Sequence, residues 1–288
     1  MENAADFNAR YRQILIDYCR AAELELRERW DLWPLTAADN CVHEVVGALL
    51  ARQTTLATHL VGGPPMWTPH IAPLVLRSMV DLRITLGWIL IEPVPRCEQF
   101  VLYGLGQTKL WIEHLKSRLA ERGEDPDADR QVKAMQGWID SQQFHFLTEV
   151  NVGNWAGTDL RGMAAECGCE DLYRFEYSTW SAATHNMWQH VGVYNLKPCT
   201  NPLHLGGHRV PSTATPPEDL YMAQYGARYL DDTFAAFDEF RGLTPMCESA
   251  FERLDYEIED LGQEIAAAEQ RESQRGAEAS TTDDKKGE

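Results

Sequence analysis

From Pro69 to Leu90 the chain reads as a helix with almost no polar face. Leu74, Leu76, Met79, Val80, Leu82, Ile84, Leu86, Trp88 and Ile89 spread around its circumference. A helix that is apolar on every side must be covered on every side. It is no membrane span, which needs roughly 18 or more apolar residues in a row. Its most apolar part, Ile84 to Ile91, is short and flanked by Arg83 and Glu92. The covering must come from other segments of the chain, so those segments decide the fold class.

They too read as helices. Phe7, Tyr11, Ile14, Leu15, Tyr18, Cys19, Ala22, Leu26 and Trp30 recur every three or four residues, the stripe of an amphipathic helix. Trp33-Pro34 breaks it. A second helix is predicted from Ala38 to Leu60, capped by Asp39 or Thr36 and ended by Gly62-Gly63-Pro64-Pro65. After the central helix, Glu92-Pro93-Val94-Pro95 forms a turn. Helices follow over Arg96–Arg122, stopped by Gly123, and over Asp127–Phe146. Leu147–Gly157 reads as a loop. A short helix spans Thr158–Cys167, with Thr158 as cap and Gly168 as stop. A longer one is predicted from Glu170 to Tyr194. Asn195–Pro217 is irregular, and the last helices are predicted over Pro217–Arg241 and Pro245–Ala268. Arg271–Glu288 has no large apolar residue and is expected to be disordered. The expected fold is an all-α multi-helix bundle, with an irregular His/Cys-containing loop and a disordered acidic tail. One helical domain would cover 1–270.

Composition narrows the partners. Acidic residues number 44 against 26 basic, a formal charge of −18. Such a surface repels phosphate backbones, and no dense Lys/Arg cluster offsets it, so RNA is disfavoured. An anionic membrane surface is disfavoured on the same ground. The seven cysteines are odd in number and scattered. With a polar, charged start (MENAADFNARYRQ), they point to reduced thiols in a cytoplasmic protein. The aromatic N-terminal helix makes a two-fold homodimer the default assembly, and a protein partner could use the acidic C-terminal arm.

Chemistry concentrates between Tyr177 and Pro211, which holds His185, His190, His204 and His208, four of the nine histidines. On one helix, His185 would share a face with Ser181 and Trp188, at spacings of four and three. His185 and His190 would stand about 140° apart at about 100° per residue. The stretch His185-Asn186-Met187-Trp188-Gln189-His190 is similar to the HEPN ribonuclease pattern of arginine, spacer and histidine, with the polar Asn186 in place but His185 where arginine stands. In that reading His190 and His185, with Ser181 and Asn186, would supply base and charge stabilisation. A second motif is Cys199, His204 and His208, C-x4-H-x3-H, whose thiolate and imidazoles suit zinc; a fourth protein ligand is not evident. In the central helix Arg77 and Asp81 form an i,i+4 pair, with Arg83 beyond. They read either as an internal salt bridge or as the floor of a ligand pocket shared with Tyr177, Trp188, Asn201 and Arg209. GxGxxG, P-loop, HExxH and GxSxG patterns are absent.

The blocks IAPLVLRSMVDLRITLGWIL, EPVPRCEQFVLYGLGQTKL, NWAGTDLRGMAAECG, YSTWSAATHNMW and PCTNPLHLGGHRVP resemble the bacterial DUF5677 family over roughly His43 to Pro211. Positions matching its recurrent pattern include Arg77, Asp81, Tyr103, Asn154, Trp155, Tyr173, Tyr177, Ser181, His185, Trp188, Cys199, Asn201, Pro202, His204, His208 and Arg209. At Asp81 the family pattern has an acidic residue, often glutamate. The resemblance implies an all-helical fold, similar in style to HEPN-like and abortive-infection proteins, and so a role in phage defence or a toxin-like system. It implies no catalytic assignment. The reading from the residues alone is an interaction or sensing module with a polar pocket. A ribonuclease on His185 and His190, and a zinc protein or hydrolase on Cys199, His204 and His208, stand as alternatives.

Overall fold

The computed structural model describes residues 2–36, 40–142, 155–204, 207–244 and 247–284. The chain is all-α apart from one small hairpin. Its elements are α1 (Glu2–Asp31), α2 (Asn40–Val61), α3 (Ala72–Ile91), α4 (Pro93–Glu121), α5 (Arg130–Asp140), α6 (Leu160–Glu166), α7 (Ser178–Thr184), α8 (Trp188–Tyr194), β1 (Leu196–Pro198), β2 (Arg209–Pro211), α9 (Leu220–Arg241) and α10 (Ala250–Asp284). No helix among the described residues is long and apolar enough to cross a membrane. The cysteines form no disulfide among the described residues.

The helix ends follow local chemistry. Asp129 caps α5 by accepting from the Gln131 and Val132 N–H groups, and Asp219 caps α9 through the Tyr221 N–H. Gly242 closes α9 at φ 62°, a left-handed conformation that only glycine adopts without cost. The α6 cap is Asp159, whose carboxylate accepts the Gly162 N–H, rather than the expected Thr158. Asp39 and the expected end of the fifth helix at Phe146 lie outside the described residues, as does most of the expected loop. The helix α10 runs through Asp284, beyond the predicted end at Ala268.

Helix α4 begins at Pro93, inside the expected Glu92–Pro95 turn, and two further expectations need correction. The helix predicted over Glu170–Tyr194 is not continuous. A π-helical turn at Leu172–Tyr177 leads into α7, and the chain then breaks at His185–Met187 before α8. Asn186 sits there at φ 52°, a conformation asparagine tolerates better than other non-glycine residues. The segment after Tyr194 is not wholly irregular. Strands β1 and β2 pair antiparallel, with Leu196 opposite Pro211 and Pro198 opposite Arg209.

The chain's contacts divide into two compact units. The first comprises Met1–Leu32, Arg52–Met79 and Ala182–Glu288; the second comprises Trp33–Ala51 and Val80–Ser181. In the first, α1 packs along α10 and α10 along α9. Its core includes Ile14, Leu15 and Tyr18 of α1, Leu60 of α2, and Tyr229, Leu230, Phe234 and Phe237 of α9. Each fully buried side chain of this size contributes roughly 1.5–3 kcal/mol through loss of apolar surface to water. Polar links are built into this core. Gln53 donates to the Met79 and Tyr229 carbonyls and to Thr233 Oγ1. Arg29 donates through Nε and Nη2 to Asp238, at 2.8–3.1 Å, and through Nη1 to Glu25 at 3.0 Å.

In the second unit α4 packs on α5 around Leu105, Ile112, Leu119, Val132 and Ile139. The apolar all-round helix is only partly covered: Val80, Ile84, Leu86 and Ile89 are fully buried, whereas Leu74 and Ile91 of the same helix are exposed. Trp88, within that run, is buried too. Its Nε1 donates to Glu166 at 2.7 Å, and the Arg96 guanidinium covers its ring at 3.8 Å from the centroid.

Candidate functional site

The hairpin brings together Cys199, His204 and His208, the candidate metal ligands. Pairing stops at Pro198 and Arg209, so Cys199 and His208 follow directly, one on each strand. The Cys199 N–H donates to the His208 carbonyl at 3.2 Å, which keeps the two residues opposite each other. Asn201 then turns the chain back. Its Oδ1 accepts the Leu203 N–H at 3.0 Å, and its carbonyl accepts the His204 N–H at 3.0 Å. This is the asparagine-initiated turn that an Asn-Pro sequence favours. It winds Pro202–His204 into a single 3-10 turn and returns His204 over Cys199.

Three donor atoms converge as a result. Those of Cys199, His204 and His208 all lie within 4.8 Å of one another. Cys199 Sγ stands 3.5 Å from His204 Nδ1, and the two imidazole centroids are 4.8 Å apart. Around tetrahedral zinc, bond lengths of about 2.0–2.3 Å put neighbouring ligand atoms roughly 3.3–3.6 Å apart. The Sγ–Nδ1 distance fits directly, and the widest separation closes by about 1 Å of side-chain rotation. Cys199 is half-buried, whereas His204 and His208 are exposed. The other nitrogen of His204 is engaged too: Nε2 lies 3.2 Å from Asn201 Nδ2. A metal on Nδ1 would make Nε2 a donor facing the Asn201 amide nitrogen, since Oδ1 is held by the Leu203 N–H, so the ring would turn that proton to water.

The remaining candidates sit on several elements of the chain. Ser181 is buried, and its hydroxyl donates to the Tyr177 carbonyl at 2.6 Å. Tyr177 stacks on Tyr173 at 4.9 Å. His185 and Asn186 are exposed at the helix break, and Trp188 is 71% exposed. The shared inward face of Ser181, His185 and Trp188 therefore does not form, because the helix that would align them is interrupted. Arg77 and Asp81 are half-buried on α3. Arg209 donates from Nη1 to the Gly192 carbonyl at 2.9 Å, near the C-terminal end of α8, where a cation complements the exposed carbonyls.

His190 is not joined to His185. Its ring meets His70 at 5.7 Å and Tyr194 at 5.0 Å, and His70 also meets Tyr194 at 5.9 Å. Burial, and the neighbouring His70, lower the His190 pKa. His70 is absent from the sequence-based candidates. It sits in the turn before α3, far from His190 along the chain, and the only available cue was its place in the Trp67-Thr68-Pro69-His70 turn.

A family model described as a family of unknown function, DUF5677, matches residues 43–200. That covers just over half of the 288 residues and includes Cys199, with His204 and His208 beyond its edge. No curated protein and no solved structure matches the chain.

Proposed function

From the premise that the chain belongs to the DUF5677 family, a family of unknown function, we propose that this member is a zinc-binding helical protein whose metal sits at the tip of the β1–β2 hairpin. The ligands would be Cys199 Sγ, His204 Nδ1 and a ring nitrogen of His208. The observation that carries this reading is the convergence of the three donor atoms within 4.8 Å, on a loop whose backbone hydrogen bonds already hold two of the ligands in place. Three protein ligands on an exposed loop leave a fourth position to water, the arrangement of reactive rather than purely structural zinc. Bound zinc would act there as a Lewis acid and lower the pKa of that water.

The ribonuclease reading has weaker support, because the break at Asn186 puts His185 and His190 on different segments. The test of the zinc reading is elemental analysis after equilibration with zinc and removal of the excess. About one zinc per chain is expected for the wild type and for His190→Gln, and little for Cys199→Ser or His204→Ala. Cobalt in place of zinc should give a sulfur-to-metal absorption band that Cys199→Ser removes. A wild type holding less than about 0.2 metal per chain would refute the site.

A further inference from the structure

We infer that the second unit binds a small amphiphilic cation, an organic ammonium with a compact apolar body, in a cavity between α2, α4 and α5. The cavity measures about 350 Å³, at the small end of the roughly 300–1,000 Å³ that small-molecule sites occupy. It shares no residue with the hairpin site, so it stands or falls independently of the zinc reading.

Its shape follows from helix periodicity. Cys41, Glu44, Val45 and Ala48 fall at spacings of three and four on α2 and present one stripe to the cavity. Opposite them, α4 offers Phe100, Val101 and Leu105. Val45 and Leu105 are buried and form an apolar floor. Phe100 and Trp138 bring two aromatic rings to the walls, and Trp138 is 50% exposed although it stands beside this apolar surface. Aromatic faces carry negative charge and attract ammonium groups.

Gly104 is the telling residue. It lies inside α4, where glycine weakens a helix, and a Cβ there would meet nothing within 4 Å. No close neighbour and no special backbone angle requires glycine at this point. A larger side chain at this exposed position would occupy open space beside the cavity.

Charge selects the class of ligand. Glu44 lines the cavity, with Asn40 Nδ2 donating to its Oε1 at 3.4 Å. Glu98 stands near enough to join Glu44 in acting on the Cys41 thiol, which burial chiefly, and these carboxylates in addition, push up to about 11. Among the described residues the lining contains no Lys, Arg or His. From these residues a carboxylate or phosphate ligand meets repulsion, whereas an ammonium finds the Glu44 carboxylate and aromatic rings. The protonated Cys41 thiol is a poor nucleophile, so binding is non-covalent.

The test is calorimetric titration of the full chain with benzyltrimethylammonium, alongside 4-phenylbutyrate as an anion of similar size. Saturable one-to-one binding of the cation is expected, with no binding of the anion. Gly104→Leu should abolish it by filling the cavity. Gly104→Ala, which favours the helix and leaves the chain folded, should weaken it. Glu44→Gln should weaken it roughly threefold, the size of effect an exposed ion pair supports, and Trp138→Ala roughly tenfold. No heat from the cation at millimolar concentration, equal binding of phenylbutyrate, or unchanged binding in both Gly104 variants would each overturn the proposal.

Discussion

Replacing Arg29 with methionine tests whether the first unit depends on one buried guanidinium. Arg29 and Asp238 are buried, as is Glu25. The Arg29 fork makes three contacts to Asp238 at 2.8, 2.9 and 3.1 Å and one to Glu25 Oε2 at 3.0 Å, and its Cζ stands 4.2 Å from the centroid of the Phe234 ring. Methionine fills much of the volume but leaves two buried carboxylates without their cation. Breaking a buried pair in this way costs about 3–5 kcal/mol. Glu25 keeps the Ala250 N–H at 2.6 Å, whereas Asp238 loses all three of those contacts, so most of the loss falls on Asp238. At about 2–4 °C per kcal/mol for a chain of this order, the melting temperature should fall by roughly 6–20 °C. Arg29→Lys, which keeps the charge but not the fork, should fall between.

The pH dependence has a definite sign. Burial raises the Glu25 pKa above 4.5 and the Asp238 pKa above 3.8, with Arg29 opposing both shifts. In the window between those ordinary values and the raised folded values, the native state holds protons that the unfolded chain has released. Stability from these two groups therefore falls as pH rises through that window. Without Arg29 the window widens, so the deficit of Arg29→Met should shrink on acidification. Urea unfolding of both proteins at pH 7 and at lower pH measures this. A loss below about 1 kcal/mol at pH 7, or a deficit that grows on acidification, would refute the reasoning.

Tyr18→Phe should leave stability unchanged or raise it by about 1 kcal/mol, since the buried Tyr18 hydroxyl has no hydrogen-bond partner among the described residues and an unmet buried donor costs about 1–3 kcal/mol; a clear loss on denaturation would contradict this. Gly226→Ala should cost about 1–3 kcal/mol by overpacking, because its Cβ would fall 2.8 Å from Leu60 Cδ2. Gly242→Ala should cost about 1–2 kcal/mol for a different reason: space is open there, but φ is 62°, and equal tolerance of both variants in thermal melts would argue against the packing and backbone described. Asn186→Gly should be neutral or slightly stabilising and Asn186→Val clearly destabilising by thermal melt, as the left-handed conformation demands; the reverse order would mean that α7 and α8 form one helix.

Much of the fold is legible in the chain because its helices are amphipathic and sharply punctuated. Gly62-Gly63-Pro64, Gly123 and Gly168 end helices where their local chemistry requires. The rest of the structure arises where the sequence signal is weak or non-local. The break at His185–Met187 contains no proline or glycine, and its one cue, Asn186, reads equally well as a polar residue of a catalytic motif. Strands of three residues are too short for alternation to show, so β1 and β2 merge into an irregular stretch. Cys199, His204 and His208 were readable as a group because one hairpin loop holds all three. The neighbourhood of His190 was not, because tertiary packing brings in His70. Nor was the cavity: Cys41, Phe100 and Trp138 look like ordinary core and surface positions until three helices bring them together.

The broken course of the first unit bears on solubility. The family match covers residues 43–200, yet the first unit draws on Met1–Leu32 and on everything after Thr200. A fragment cut at the match boundaries would lose α1, α9 and α10. Gln53 would lose the Tyr229 carbonyl and the Thr233 hydroxyl, and Leu60 would lose the Gly226 surface it packs against. Apolar surface exposed in this way promotes association. A fragment cut to the stretch by which relatives are recognised is thus expected to aggregate more readily than the intact chain.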